Sequence, residues 1–120
     1  MKKRIMIADD DRELCEEMAE IFKAHGYIAD NEFDGLSCER AVRNNRYDIF
    51  ILDYKMPGLN GIEILKIIKS KAPQSKVFIV SGKNNIREMF EAENSLKLVD
   101  GLLNKPFNVE EFIKKIKEIK

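Results

Sequence analysis

Two short runs of this chain are apolar throughout, and each stops at an aspartate. Ile5-Met6-Ile7-Ala8 gives way to Asp9-Asp10-Asp11, and Ile49-Phe50-Ile51-Leu52 gives way to Asp53. An uninterrupted apolar run between polar residues is what a strand covered on both faces requires. Such strands belong to parallel sheets with a helical layer on either side, and there ligands bind beyond the carboxyl ends of the strands. The two acidic clusters therefore fall at a binding edge. Carboxylates gathered there repel one another unless a positive charge joins them. A hard divalent cation meets that need, because Mg²⁺ takes oxygen ligands and keeps several waters.

The rest of the chain alternates in the same way. Strand 1 is read over Arg4 to Ala8, followed by a helix with Leu14, Met18, Ile21 and Phe22 as its inward stripe. Gly26 ends that helix. Strand 2 is read at Tyr27 to Asn31, and helix 2 from Leu36 to Asn44 with Leu36, Ala41 and Val42 inward. Strand 3 is Ile49 to Asp53, and Met56-Pro57-Gly58-Leu59-Asn60-Gly61 turns the chain. Helix 3 covers Ile62 to Ser70, strand 4 Lys76 to Ser81, and helix 4 Ile86 to Asn94 with Ile86, Met89 and Phe90 inward. Strand 5 is short, Gly101 to Leu103. Asn108 caps the last helix, with Glu111 placed for a capping box and Val109, Phe112, Ile113, Ile116 and Ile119 as the apolar stripe. Strands that alternate with helices pair in parallel through right-handed crossovers, which gives a doubly wound α/β sheet.

Charge and composition narrow the function. Lys+Arg and Asp+Glu both number 21, so the chain offers no basic footprint for nucleic acid or an anionic membrane. No apolar stretch approaches the roughly 20 residues of a membrane span. The run behind Met1-Lys2-Lys3-Arg4 is too short for a signal peptide, so a cytoplasmic protein is expected. Cys15 and Cys38 lack metal-ligand spacing and read as reduced thiols packed on helices. His25, the one histidine, precedes Gly26 and reads as a cation at a helix C-terminus. One histidine without a Cys/His cluster disfavours zinc chemistry and a Ser-His-Asp triad.

Four features should meet at the binding edge: Asp9-Asp10-Asp11, Asp53, Ser81-Gly82 and Lys105-Pro106. Carboxylates, a hydroxyl, an ammonium and a cation suit phosphoryl transfer. A carboxylate can act as nucleophile and carry an aspartyl-phosphate. A metal neutralises the transferring group. Ammonium and hydroxyl groups bind its other oxygens. There is no Gly-rich phosphate loop and no kinase motif, so nucleotide binding is not indicated.

The stretches Ile7-Ala8-Asp9-Asp10-Asp11, Leu52-Asp53-Tyr54-Lys55-Met56-Pro57-Gly58-Leu59-Asn60-Gly61, Val80-Ser81-Gly82 and Asn104-Lys105-Pro106-Phe107 together resemble the response-regulator receiver domain of two-component signalling. The resemblance covers residues 1–120, read as one receiver domain. It implies a flavodoxin-like three-layer α/β/α sandwich, a five-stranded parallel sheet of order 2-1-3-4-5 with five helices. It implies Asp53 as phosphoacceptor, with the phosphoryl group coming from a histidine kinase or a histidine phosphotransfer protein. Mg²⁺, with Mn²⁺ as a substitute, would be held by Asp9, Asp10, Asp53 and the Lys55 backbone carbonyl. Ser81 and Lys105 would bind phosphoryl oxygens, and the Lys105-Pro106 peptide would be cis. The chain would be a switch rather than a turnover enzyme, without direct nucleic-acid or membrane binding, and a monomer or weak phosphorylation-dependent dimer.

The family often carries an aromatic residue three positions before this lysine, where this chain has Leu102. The segment from Ser81 to Lys105 is slightly long, which marks helix 4 or the loop after it as atypical. Lys55 and Lys83 read either as cations that steer the phosphodonor or shield the acyl phosphate, or as solvated surface lysines. Asp11 reads as a helix cap rather than a ligand. Two other functions compete. Asp9-Asp10-Asp11 after a strand also fits an Mg²⁺-dependent phosphatase with an aspartate nucleophile, though that reading leaves Asp53 idle. A degenerate receiver acting only as a binding module is the third.

Overall fold

The structure is a computed structural model that describes residues 2–118. Its strands are β1 (Arg4–Ala8), β2 (Ile28–Glu32), β3 (Ile49–Asp53), β4 (Lys76–Ser81) and β5 (Gly101–Asn104). Its helices are α1 (Arg12–Ala24), α2 (Gly35–Asn44), α3 (Gly61–Lys71), α4 (Ile86–Ala92) and α5 (Val109–Lys117), with a 3₁₀ turn at Leu96–Leu98. All neighbouring strands pair in parallel, in the order β2-β1-β3-β4-β5. The expected flavodoxin-like fold is thus the observed one.

Successive strand residues point to opposite faces, so every inner strand contributes to two cores. Met6, Phe50, Leu52, Val77 and Ile79 join Cys38, Leu65, Ile68 and Phe90 from α2, α3 and α4. Ile5, Ile7, Ile49, Ile51, Phe78 and Val80 join Met18, Phe22, Phe112 and Ile113 from α1 and α5. This explains why β1 and β3 are apolar without alternation. Phe112 meets Phe78, Phe107 and Phe22 edge to face, at centroid distances of 5.1, 5.8 and 6.5 Å, and so docks α5 on the sheet and on α1.

Local signals set most helix starts. Asp11 caps α1 by accepting the Leu14 N–H, and Asp34 accepts the Ser37 N–H. Asn60 and Glu63 exchange both bonds of a capping box at 3.0 Å, which begins α3 one residue earlier than its apolar stripe suggests. Asn108 accepts from Glu111, but among the described residues only α3 shows the reciprocal bond. His25 is the C-cap of α1, and its ring also meets Glu110 at 2.9 Å and Lys117 at 3.3 Å on α5.

Several sequence expectations shift. β2 begins and ends one residue later than expected, and α4 stops at Ala92. The polypeptide then makes the 3₁₀ turn, so the region flagged as atypical is a short helix followed by an irregular return. Leu36 is not inward: it is 51% exposed, and Cys38 takes the core position. The reason lies at Gly35, which opens α2 and gives its N–H to the Pro57 carbonyl at 2.8 Å. That bond draws the 57–59 loop against the start of α2, and Leu36 covers Gly58 instead of entering the core. Ile119 lies outside the described residues.

A Cβ at Gly35 would collide with the Leu59 backbone. Gly35→Ala should therefore destabilise the fold by ~1–3 kcal/mol, despite alanine's better helix propensity. Urea unfolding of both proteins measures this, and an unchanged midpoint would show that the loop yields freely.

Candidate functional site

Strand register brings the four features together. Ala8 pairs with Leu52, Asp53 with Val80, and Ser81 with Asn104. Asp9, Asp53, Ser81 and Lys105 thus emerge side by side at the carboxyl edge of four adjacent strands. The edge strand β2 contributes from the other side: its Glu32 carbonyl accepts the Asp9 N–H at 3.1 Å.

The side chains converge as their order requires. Asp9, Asp53 and Ser81 are buried, while Asp10 and Lys55 are exposed. The Lys105 ammonium lies 3.0 Å from Asp9 Oδ2 and 3.4 Å from Asp53 Oδ1, bridging the acids of β1 and β3. The other oxygen of Asp9 accepts the Asp11 N–H at 3.0 Å. Ser81 Oγ accepts the Lys83 N–H at 2.9 Å, which leaves its own proton free to donate. The Lys105–Pro106 peptide is cis, as the resemblance implied.

Electrostatics single out Asp53. Burial pushes its pKa up to about 7, and the charge of Asp9 adds to the rise. The attraction and hydrogen bond of Lys105 offset only part of this, and Asp10 raises it further. Burial works against the charged form of Lys105, but its hydrogen bond to Asp9 and the charges of Asp53 and Asp9 prevail, so its pKa is raised.

Asp9, Asp10 and Asp53 each offer a carboxylate oxygen within 4.8 Å of the other two. With all three ionised and one ammonium present, two negative charges stay uncompensated, the charge of one divalent cation. An all-oxygen donor set suits a hard ion, so these residues fit Mg²⁺ or Mn²⁺. Among the described residues no helix is long and apolar enough to cross a membrane. Cys15 and Cys38 are buried and free, with pKa values that burial raises to about 12, so both are poor nucleophiles.

Two neighbours of the site were not singled out in the sequence. Arg12 lies over the Phe33 ring, 4.0 Å from its centroid, at the β1 side of the edge. Tyr54 packs against Phe90 of α4 with ring centroids 6.1 Å apart. The one sequence signal for the latter was an aromatic residue in the position directly after Asp53.

A doubly wound sheet with acids, a hydroxyl and a lysine at its carboxyl edge defines a class of α/β proteins that handle anionic groups. Residues 5–117 match the family model described as the response regulator receiver domain, and the chain belongs to that family. Among solved structures, it resembles a CheY-like receiver domain protein from Methanospirillum hungatei JF-1, with 25% identity and a TM-score of 0.89 over 98% of this chain and 93% of that one. It also resembles the response regulator protein TrrA from Thermotoga maritima, solved in complex with Mg²⁺–BeF, with 28% identity and a TM-score of 0.84 over the whole of both chains. Among curated proteins, it is 27% identical to the transcriptional regulatory protein TctD of Salmonella typhimurium over 90% of this chain and 47% of that protein. It is likewise 27% identical to the response regulator MprA of Mycobacterium sp. (strain KMS), over 99% of this chain and 51% of that protein. The chain spans about half the length of these curated relatives.

A raised Asp53 pKa fixes the sign of a pH effect. Between the ordinary carboxylate range and about 7, the folded, metal-free protein holds a proton at Asp53 that the unfolded chain has lost. Stability therefore falls as pH rises through that window. In chelator, wild type should lose denaturation midpoint relative to Asp53→Asn between pH 5 and pH 8. A constant difference between the two proteins across that range would refute the assignment.

Proposed function

We propose that residues 1–120 act as a phosphoacceptor switch, with Asp53 as the residue that takes the phosphoryl group. The observation that carries this reading is the Lys105 ammonium held between Asp9 and Asp53, beside a serine hydroxyl with a free proton. In the reaction, an Asp53 carboxylate oxygen forms a bond to phosphorus as the bond from phosphorus to the donor's imidazole nitrogen breaks. The imidazole leaves with that electron pair and takes a proton from solvent. Lys105 draws one phosphoryl oxygen by charge, and Ser81 donates a hydrogen bond to another. A divalent cation, bound by Asp9, Asp10, Asp53 and the Lys55 carbonyl, would neutralise charge on the transferring group.

A histidine kinase or histidine phosphotransfer protein is the donor that this chemistry calls for, in a cytoplasmic setting. The phosphatase reading is less well supported, because Asp9 is already engaged by Lys105 and the Asp11 N–H and is only 2% exposed. We assign the chain no turnover of external substrates. Its output is a change in affinity for a downstream protein.

Intact-protein mass after incubation with phosphoramidate and Mg²⁺ tests the proposal. Wild type should gain a single phosphoryl adduct, and Asp53→Ala or added chelator should abolish it. An unmodified wild type would favour the binding module, and an adduct lost with Asp9→Ala but kept with Asp53→Ala would restore the phosphatase.

Cation binding must displace the proton held by Asp53. Mg²⁺ at about a hundredfold over its Kd should stabilise the fold by ~2–3 kcal/mol at pH 8 and by clearly less at pH 6. Thermal melts with and without Mg²⁺ at the two pH values measure the difference.

A further inference from the structure

His25 closes α1 and is half-buried against α5. Its ring touches that helix at both ends. Nε2 lies 2.9 Å from Glu110 Oε2 in the first turn of α5, and Nδ1 lies 3.3 Å from Lys117 Nζ in the last. Glu110 and Lys117 stand about two turns apart, so one imidazole spans the α1-facing side of α5. The same two helices also meet through the edge-to-face rings of Phe22 and Phe112. The fold therefore does not depend on the polar bridge alone.

An ammonium can only donate hydrogen bonds. Nδ1 must accept from Lys117, which leaves the ring hydrogen on Nε2, where it donates to Glu110. The arrangement thus belongs to one protonation state, the neutral ring with its hydrogen on Nε2. A second proton would sit on Nδ1 and face the Lys117 ammonium, donor against donor and charge against charge. The bond to Glu110 would gain charge assistance at the same time. The two ends of α5 respond to one proton in opposite senses.

The surroundings pull both ways. The carboxyl end of α1 and the Glu110 carboxylate favour a cation at position 25. Lys117 opposes one, as do Lys23, two positions earlier on α1, and Lys114, on the same side of α5 as Glu110 and Lys117. Glu20 offsets Lys23 in part, at 3.6 Å. Tyr27, in the connection to β2, stays uncharged, because burial holds its phenol above the ordinary value. Histidine is the side chain that ordinarily changes charge between about pH 5 and 8.

We propose that His25 is a pH-sensitive clasp between α1 and α5. Neutral, it ties both ends of α5 to the end of α1; protonated, it keeps Glu110 and releases Lys117 together with the last turn. The inference is independent of the role of Asp53. Nitrogen-15 NMR of the full chain from pH 8 to pH 5 tests it, on the imidazole and on the backbone, in wild type, His25→Gln and Lys117→Met. Repeating the titration in Asp53→Asn removes any contribution from the acidic edge. At pH 8 the wild-type ring should be the Nε2–H tautomer, with Nδ1 unprotonated. Toward pH 5 the heteronuclear NOEs of residues 114–117 should fall as the ring gains its proton, while those of residues 109–111 hold level. In both variants the NOEs of residues 114–117 should not change with pH. An Nδ1–H tautomer or a charged ring at pH 8 would overturn the clasp. So would a wild-type last turn that stays equally ordered at pH 5, or one that loosens to the same extent in Lys117→Met.

Discussion

One ammonium among three carboxylates governs the architecture at the carboxyl edge of this sheet. Lys105 reaches both Asp9 and Asp53, and it does so from just past the end of β5, the strand farthest along the sheet from β1 on that side. The long lysine side chain spans the position of β4, where Ser81 presents only a short hydroxyl. Asp53 is still held above the ordinary carboxylate range, because burial and two neighbouring acids outweigh a single lysine. The edge is therefore under-neutralised, and it favours ligands that bring positive charge or that take up the space between its oxygens.

Much of this was legible in the chain itself, for a physical reason. Buried parallel strands require apolar residues on both faces, so β1, β3 and β4 stand out with their ends in place. The acids that close β1 and β3 and the serine that closes β4 follow directly, and the register places them side by side. The convergence of Asp9, Asp53 and Ser81 was legible because they punctuate the most hydrophobic segments. The positions that went astray depend on contacts between distant segments. Leu36 has an apolar side chain at a helical spacing that fits the core, yet the bond from Gly35 to Pro57 turns it out over Gly58. The early start of α3 depends on a pair of reciprocal bonds at Asn60 and Glu63. Tyr54 could be seen as an aromatic residue, but its partner Phe90 lies 36 positions away and no local pattern joins them.

The two faces of the sheet are not equally firm. On one, α5 is fastened by the rings around Phe112, and its first and last turns also meet His25 at the end of α1. On the other, α3 has a complete capping box, while α4 is short, uncapped and followed by an irregular return. Local stability in folded domains follows such differences, and weakly held elements are the ones that rearrange at low cost. The rigid face positions the site, and the looser face borders it through Tyr54 and the segment after Ser81.

The absence of a side chain at position 35 reaches further than its own helix. Because the first turn of α2 lies flush against Leu59, the loop after Asp53 has a second mooring more than twenty positions upstream. Drift in either segment is therefore paired. A bulkier residue at 35 survives only if the 57–59 loop reroutes, and a rerouted loop moves the backbone that follows Asp53. A residue with no chemistry of its own thus sets how far the sequence around the acidic edge can wander before its geometry is lost.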